Sequence, residues 1–314
     1  MTKKITLLGA ILALYGCAGE LVLDRDGALT VIPLQVSDSG KIVVETMLNG
    51  SGPFEFALDT GASISVVYDR PRTRAPIGPL ANETVRVLGI SGSGHFPIAN
   101  VAGIAVGSEI WEDARVAVLP ETRPAPARID GILGVDFLRR YAVWYSSRER
   151  EIRLYPKDLV AQRDYRGWSS IPLFDIQVGD GDASILAFNM LIDAQQIPTI
   201  FDLGSSENLM NRRAATLLDV QSRASRDVAR VLGVTGKTTI VIELIVWQLQ
   251  IENMKWRNRS FLIGDFPLFE ALGVSNKPAA ILGTDLFQQR DFIIDFARSR
   301  LLVRSAASST RTSE

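Results

Sequence analysis

The chain has 314 residues, 46% of them hydrophobic, with 34 basic and 35 acidic side chains and a net charge of −1. That length and apolar content support one large or two medium domains, and the balanced charge excludes a basic nucleic-acid surface or a charged binding tail. The single cysteine, Cys17, and single histidine, His95, exclude an internal disulfide and a His/Cys zinc cluster, and leave only His95 for a Ser/His/Asp triad. Hydrolytic chemistry would rest on carboxylates, hydroxyls or lysines, with no metal or cofactor expected. The 14 prolines, 25 glycines and many short β-branched runs favour strands.

Residues 1–20 read as a targeting segment. Lys3 and Lys4 supply a positive start, and residues 5–15 are apolar or small apart from Thr6. The run is shorter than the roughly 20 residues that span a bilayer, but it suits a signal-peptide core. It ends in Leu14-Tyr15-Gly16-Cys17, which resembles the bacterial lipobox, although Tyr15 is bulkier than that position usually carries. The resemblance implies a signal peptide over 1–16, a lipidated Cys17 and tether over 17–27, and a periplasm-facing, membrane-anchored protein. Ala18, where an acidic residue would hold such a protein at the inner membrane, favours the outer one. An ordinary signal peptide with a chance cysteine is the alternative.

Further along, residues 42–47 and 54–58 predict strands, the second leading into Asp59. Residues 89–94 are glycine-rich between apolar runs and predict a hairpin tip. Residues 135–141 have the length of two helical turns. Trp144-Tyr145 and residues 152–154 bracket a polar turn and predict a hairpin, with 292–303 as its counterpart. Residues 156–168 are charged and polar, as a linker is.

These segments recur in order. Ile32-Pro33-Leu34 returns as Ile171-Pro172-Leu173, and Met47-Leu48 as Met190-Leu191. Asp59-Thr60-Gly61-Ala62-Ser63 returns as Asp202-Leu203-Gly204-Ser205-Ser206. Val87-Leu88-Gly89-Ile90-Ser91-Gly92 returns as Val231-Leu232-Gly233-Val234-Thr235-Gly236. Trp111 matches Trp256, and Ile132-Leu133-Gly134-Val135-Asp136 matches Ile281-Leu282-Gly283-Thr284-Asp285. The spacing between partners rises steadily from 139 to 149 residues, the drift expected of a duplicated domain with small loop insertions. Two lobes follow, over 28–159 and 160–305, with a disordered tail over 306–314.

Leu58-Asp59-Thr60-Gly61-Ala62-Ser63 resembles the active-site signature of retroviral-type and pepsin-like aspartic peptidases. The Ile-Leu-Gly segments resemble the apolar strand that packs behind the catalytic loop in that family, and 89–94 resembles its flap. The resemblance covers nearly all of 28–305, twice over. It implies a mainly all-β fold of two retropepsin/pepsin-like β-barrel lobes in one chain, each with a short helix after the Ile-Leu-Gly strand. It also implies a monomeric aspartic endopeptidase with Asp59 and Asp202 as catalytic residues. Thr60, Gly61, Ala62, Leu203, Gly204 and Ser205 would support the loops. Gly89, Ile90, Ser91 and Gly92, with Gly233, Val234, Thr235 and Gly236, would form two flaps over an envelope or unfolded protein substrate. The chemistry needs a base for the attacking water and an acid for the carbonyl oxygen. Two carboxylates sharing one proton supply both, and a small glycine turn lets each approach the other.

Two positions depart from the family pattern. Leu203 stands where a hydroxyl normally completes a reciprocal grip between the loops, leaving Thr60 alone to make it. Ser205 has no hydroxyl counterpart at Ala62, so Ser205 is expected to donate to Asp202 and concentrate the shared negative charge there, with a mildly acidic to neutral optimum. His95 is expected on a solvated loop. Asp136 and Asp285 are expected to cap helices or complement their dipoles, Trp111 and Trp256 to pack, and Arg139 and Arg140 to face solvent. The alternative function, supported by Leu203, is a catalytically silent two-lobed binder of extended peptides. A homodimer using only Asp59 loops is disfavoured by the covalent second lobe.

Overall fold

The computed structural model describes residues 25–304, except 91, 122–128, 160–164, 166, 179–183, 220–223 and 233–236. The expected signal peptide, Cys17, most of the tether, the C-terminal tail, Ser91 and the second flap tip (Gly233, Val234, Thr235, Gly236) therefore lie outside the described residues. No helix among the described residues is long and apolar enough to cross a membrane.

The fold is mainly β. In the first lobe, Ile42–Leu48 alternates buried and exposed side chains only in part, and Ser51–Leu58 becomes wholly buried as it nears Asp59. That pattern suits a strand that begins at the surface and ends inside the core. Leu58 runs parallel to Leu133 in Gly131–Leu133, which lies antiparallel to Val66–Tyr68. Val66–Tyr68 pairs in parallel with Glu109–Leu119, and Glu109–Leu119 pairs antiparallel with Gly92–Val106. Gly92–Val106 then pairs back onto Ile42–Leu48, closing the sheet into a barrel. The second lobe repeats this order through Ser184–Ile192, Gln195–Phe201, Ala280–Leu282, Leu209–Met210, Met254–Ile263 and Thr238–Ile251, and closes at Leu191 and Ile192. Closure removes the open edges that long strands would otherwise expose.

A third, six-stranded sheet joins the lobes. The expected hairpins are Tyr141–Ser146 with Glu151–Pro156, and Phe292–Asp295 with Arg300–Arg304. They meet through Trp144 opposite Ile293, and Tyr145 stacks on Phe292 at 4.7 Å. The repeated Ile-Pro pairs end the two outer strands, Thr30–Pro33 and Trp168–Pro172, where a residue without an N–H costs least. Both faces of the sheet are covered. Tyr145, Ile152 and Leu301 join the main core, while Trp144, Tyr155 and Leu302 form a second layer under Trp168.

The expected two-turn helix is shorter. Val135–Leu138 makes a single turn because Tyr141 is already paired with Pro156 in the inter-lobe sheet. Its second-lobe counterpart, Thr284–Leu286, is a 3-10 turn. Sheet pairing overrides a helical length that the sequence allows.

Candidate active site

Each catalytic-type aspartate sits just beyond a buried strand, held by matching bonds. Asp59 N–H donates to Leu133 O at 3.0 Å and Asp202 N–H to Leu282 O at 3.0 Å. Gly61 N–H donates to Asp59 Oδ1 and Gly204 N–H to Asp202 Oδ1, both at 2.8 Å. The loops meet crosswise. A Cβ added at Gly61 would lie 2.7 Å from Asp202 Cγ, and one added at Gly204 would lie 2.2 Å from Asp59 Cγ. The glycines are thus required by proximity: each occupies the space beside the opposite carboxyl. Both aspartates are 9% exposed, and their carboxyl groups are within hydrogen-bonding reach of each other.

Behind the loops, Val135 N–H donates to Ala62 O and Thr284 N–H to Ser205 O. Gly134 and Gly283 have no room for a Cβ, which would fall 2.7 Å from the carbonyl oxygens of Ala62 and Ser205 respectively. Gly134 N–H also donates to Ser65 Oγ, and Gly283 N–H to Asn208 Oδ1. Asp136 and Asp285 hold these same residues. Asp136 accepts from Ser65 N–H at 2.8 Å and Ser65 Oγ–H at 2.6 Å, and Asp285 accepts from Asn208 Nδ2–H at 3.0 Å. Of the expected capping or dipole complementation, capping is corrected, since Gly134 and Gly283 occupy the N-cap positions without a side-chain cap, whereas Asp136 and Asp285 do lie in the first turn, where a negative charge complements the helix dipole. The two aspartates also brace the strand that follows each catalytic loop. Burial raises both carboxyls above the usual range, opposed by these hydrogen bonds.

Thr60 makes the half of the grip expected of it. Its hydroxyl donates to Phe201 O at 2.5 Å and accepts from Leu203 N–H at 3.0 Å. Leu203 is 2% exposed and packs in the main core, so the missing hydroxyl is replaced by apolar burial. Thr60→Val is expected to leave two buried backbone groups without partners and to cost about 2 kcal/mol or more. A urea midpoint equal to that of the parent would refute that role for the hydroxyl.

Ser205 departs from expectation. Its hydroxyl donates to Glu207 O at 2.8 Å and accepts from Glu207 N–H, closing its own turn. With no serine donor on Asp202, burial raises the Asp202 carboxyl well above the ordinary carboxylate range; Asp59 adds to the rise and Lys41 opposes it. The expected concentration of negative charge on Asp202 is therefore not supported: burial and the neighbouring Asp59 favour its protonated form. Lys41, which the sequence did not single out, lines the cleft with both aspartates.

A cavity of about 580 Å³ lies over the dyad, roofed by Leu88, Gly89 and Ile90 of the first hairpin and Val231 and Leu232 of the second. The first hairpin turns where Gly89 pairs with Gly92, the second where Leu232 pairs with Thr238. Leu88 and Ile90 pack against a second-lobe cluster containing Leu268 and Phe269, on the short helix Pro267–Ala271. Lys237 Nζ donates to Ser93 O at 2.9 Å across the cleft. The first flap therefore rests on the second lobe. No sequence repeat marked that helix.

Other expected residues fall elsewhere. His95 is exposed on Gly92–Val106, opposite Arg86. Trp111 packs on Phe137 and Trp256 on Phe287, each with an arginine over its ring, Arg140 and Arg290. Arg139 does not simply face solvent. It crosses to Asp175 and Ser184 of the second lobe and lies over Phe296.

Residues 44–137 match the family described as Aspartyl protease. That segment holds Asp59, the first flap and the Ile132-Leu133-Gly134 strand, and the match supports a retropepsin-like aspartic peptidase reading of this part of the chain. The chain matches no curated protein.

Proposed function

We propose that this chain is an aspartic endopeptidase that hydrolyses extended peptide segments of an envelope or unfolded protein with a water held between Asp59 and Asp202. The observation that carries this reading is the crosswise approach of the two loops, which puts both carboxyls in one flap-covered cavity. Asp59 takes a proton from the water as the water's oxygen attacks the carbonyl carbon. Asp202 gives its proton to the carbonyl oxygen, forming a neutral tetrahedral diol. Return of a proton to the leaving nitrogen breaks the C–N bond. The flaps bind the peptide backbone and exclude water, and the first flap's rest on Pro267–Ala271 must open for substrate entry. The matching strand orders support reading the lobes as a duplicated unit acting as a monomer. The lipobox-like sequence at Cys17 supports a lipid-anchored, periplasm-facing enzyme, and no cofactor is assigned.

Incubation of the chain from Ala18 onward with a mixed peptide library between pH 4 and 7 tests the reading. Cleavage inside peptides is expected. Saturable binding without cleavage would overturn it in favour of the silent binder. Because the raised Asp202 keeps its proton where ordinary carboxylates have lost theirs, the alkaline limb of kcat/KM is expected near neutrality. A profile peaking near pH 2 would contradict this ordering of the dyad.

A further inference from the structure

We infer that Lys41 is a positioning residue of the dyad, tying the first lobe to the Gly204 carbonyl where Leu203 offers no hydroxyl, and fixing one cation on the Asp202 side of the cleft. The inference deepens the peptidase reading and rests on it. Lys41 Nζ donates to Gly204 O, and Lys41 lines the cavity with Asp59 and Asp202.

The turn that delivers Lys41 is built for this contact. Ser37 N–H donates to Lys41 O at 2.9 Å, and Lys41 N–H donates to Ser37 Oγ at 3.2 Å. Gly40 sits at φ +77, and a Cβ there would lie 3.3 Å from Ser206 Cβ, so the turn presses directly on the second catalytic loop. Gln288 fixes it from the other lobe: Nε2–H donates to Gly40 O at 3.3 Å and to Thr284 Oγ1 at 3.0 Å. With Thr60, Lys41 gives the paired loops two bridges between lobes.

The arrangement is one-sided. The position matching Lys41 in the second lobe is Ser184, whose hydroxyl is bonded to Asp175. The other charged groups lining the cavity are Glu207, Arg230 and Glu243. A fixed cation favours the ionised form of a nearby carboxylate, and Lys41 acts in that direction on Asp202, against burial and Asp59. It limits how far the proton of the pair is held into the alkaline range.

The test uses the full chain with Lys41→Gln, which can still donate to Gly204 O but carries no charge, and Lys41→Arg, which keeps both features. Titration of 13C-labelled aspartate carboxylates is read beside the pH dependence of kcat. Lys41→Gln is expected to move the titration of the pair and the alkaline limb up by about one pH unit, while Lys41→Arg leaves both near the parent's. An unmoved titration in Lys41→Gln, or Lys41→Arg behaving like it, overturns the charge role. Lys41→Met is expected to lose a further factor of roughly ten in kcat, the scale of one charge-assisted hydrogen bond. That loss is expected to shrink in Leu203→Thr, and equal losses in both backgrounds overturn the bridging role. If the parent cleaves no peptide the peptidase reading falls, while the titration still decides whether Lys41 biases the pair.

Discussion

Asp59→Asn and Asp202→Asn are each expected to lower kcat by roughly 10²–10⁴-fold, the usual contribution of a positioned acid or base, while leaving the fold intact. Asparagine keeps the shape of either side chain and can accept from Gly61 or Gly204 N–H, as the carboxyls do at 2.8 Å. Position 59 loses the base. At position 202 an amide still donates to a carbonyl but cannot give up a proton and recover it. Cleavage surviving Asp202→Asn would point to a dimer of Asp59 loops and sink the single-chain dyad. The same variants separate chemistry from stability. Asp202 has a raised affinity for its proton in the folded state, relative to 3.8 as the ordinary value. The native state therefore binds more protons than the unfolded one above that pH, and stability falls as pH rises through the raised value. The parent's melting temperature is expected to drop from pH 4 to pH 8, and Asp202→Asn to flatten that slope. An equally steep decline in the variant would show that another group carries it.

Gly204→Ala is expected to lower activity about 10²-fold, because displacing a reacting group by an ångström costs on that order. Its Cβ would fall 2.2 Å from Asp59 Cγ, so the Asp59 carboxyl or the whole second loop must move. Gly61→Ala does the same to Asp202 from the other side, with its Cβ 2.7 Å from Asp202 Cγ. Overpacking of this kind also costs about 1–3 kcal/mol, and chemical denaturation would measure that part separately. Gly78→Ala is the control, since nothing lies within 4 Å of an added Cβ there. Full activity in Gly204→Ala would mean that the loops do not meet as described.

Much of the site was legible before folding because the sequence repeats its key segments in order, so each constraint is written twice. The recurrence of Asp59-Thr60-Gly61 as Asp202-Leu203-Gly204 named both aspartates and both close-approach glycines, and the Ile-Leu-Gly repeats marked the strands behind them. Ser205 was misread for a local reason. A serine two residues before a free backbone N–H can close its own turn as readily as reach a carboxylate, and it does so with Glu207. Asp136 and Asp285 were read only in part: a position near a helix start suggests capping or dipole complementation, whereas their side-chain partners, Ser65 and Asn208, lie more than 70 residues earlier.

The sequence alone determined the strand pattern, the repeat and the identity of the paired aspartates, since these depend on side-chain type and order along one chain. Only the tertiary structure decided how deeply Asp202 is buried beside Asp59, what stands in for the hydroxyl missing at Leu203, and where the first flap rests. Those outcomes depend on burial and on groups from the opposite lobe: Lys41 on Gly204, Thr60 between Phe201 and Leu203, and Leu88 and Ile90 on the helix Pro267–Ala271. Contacts of that kind arise when two barrels are joined through one shared sheet, and no local pattern in the chain encodes them.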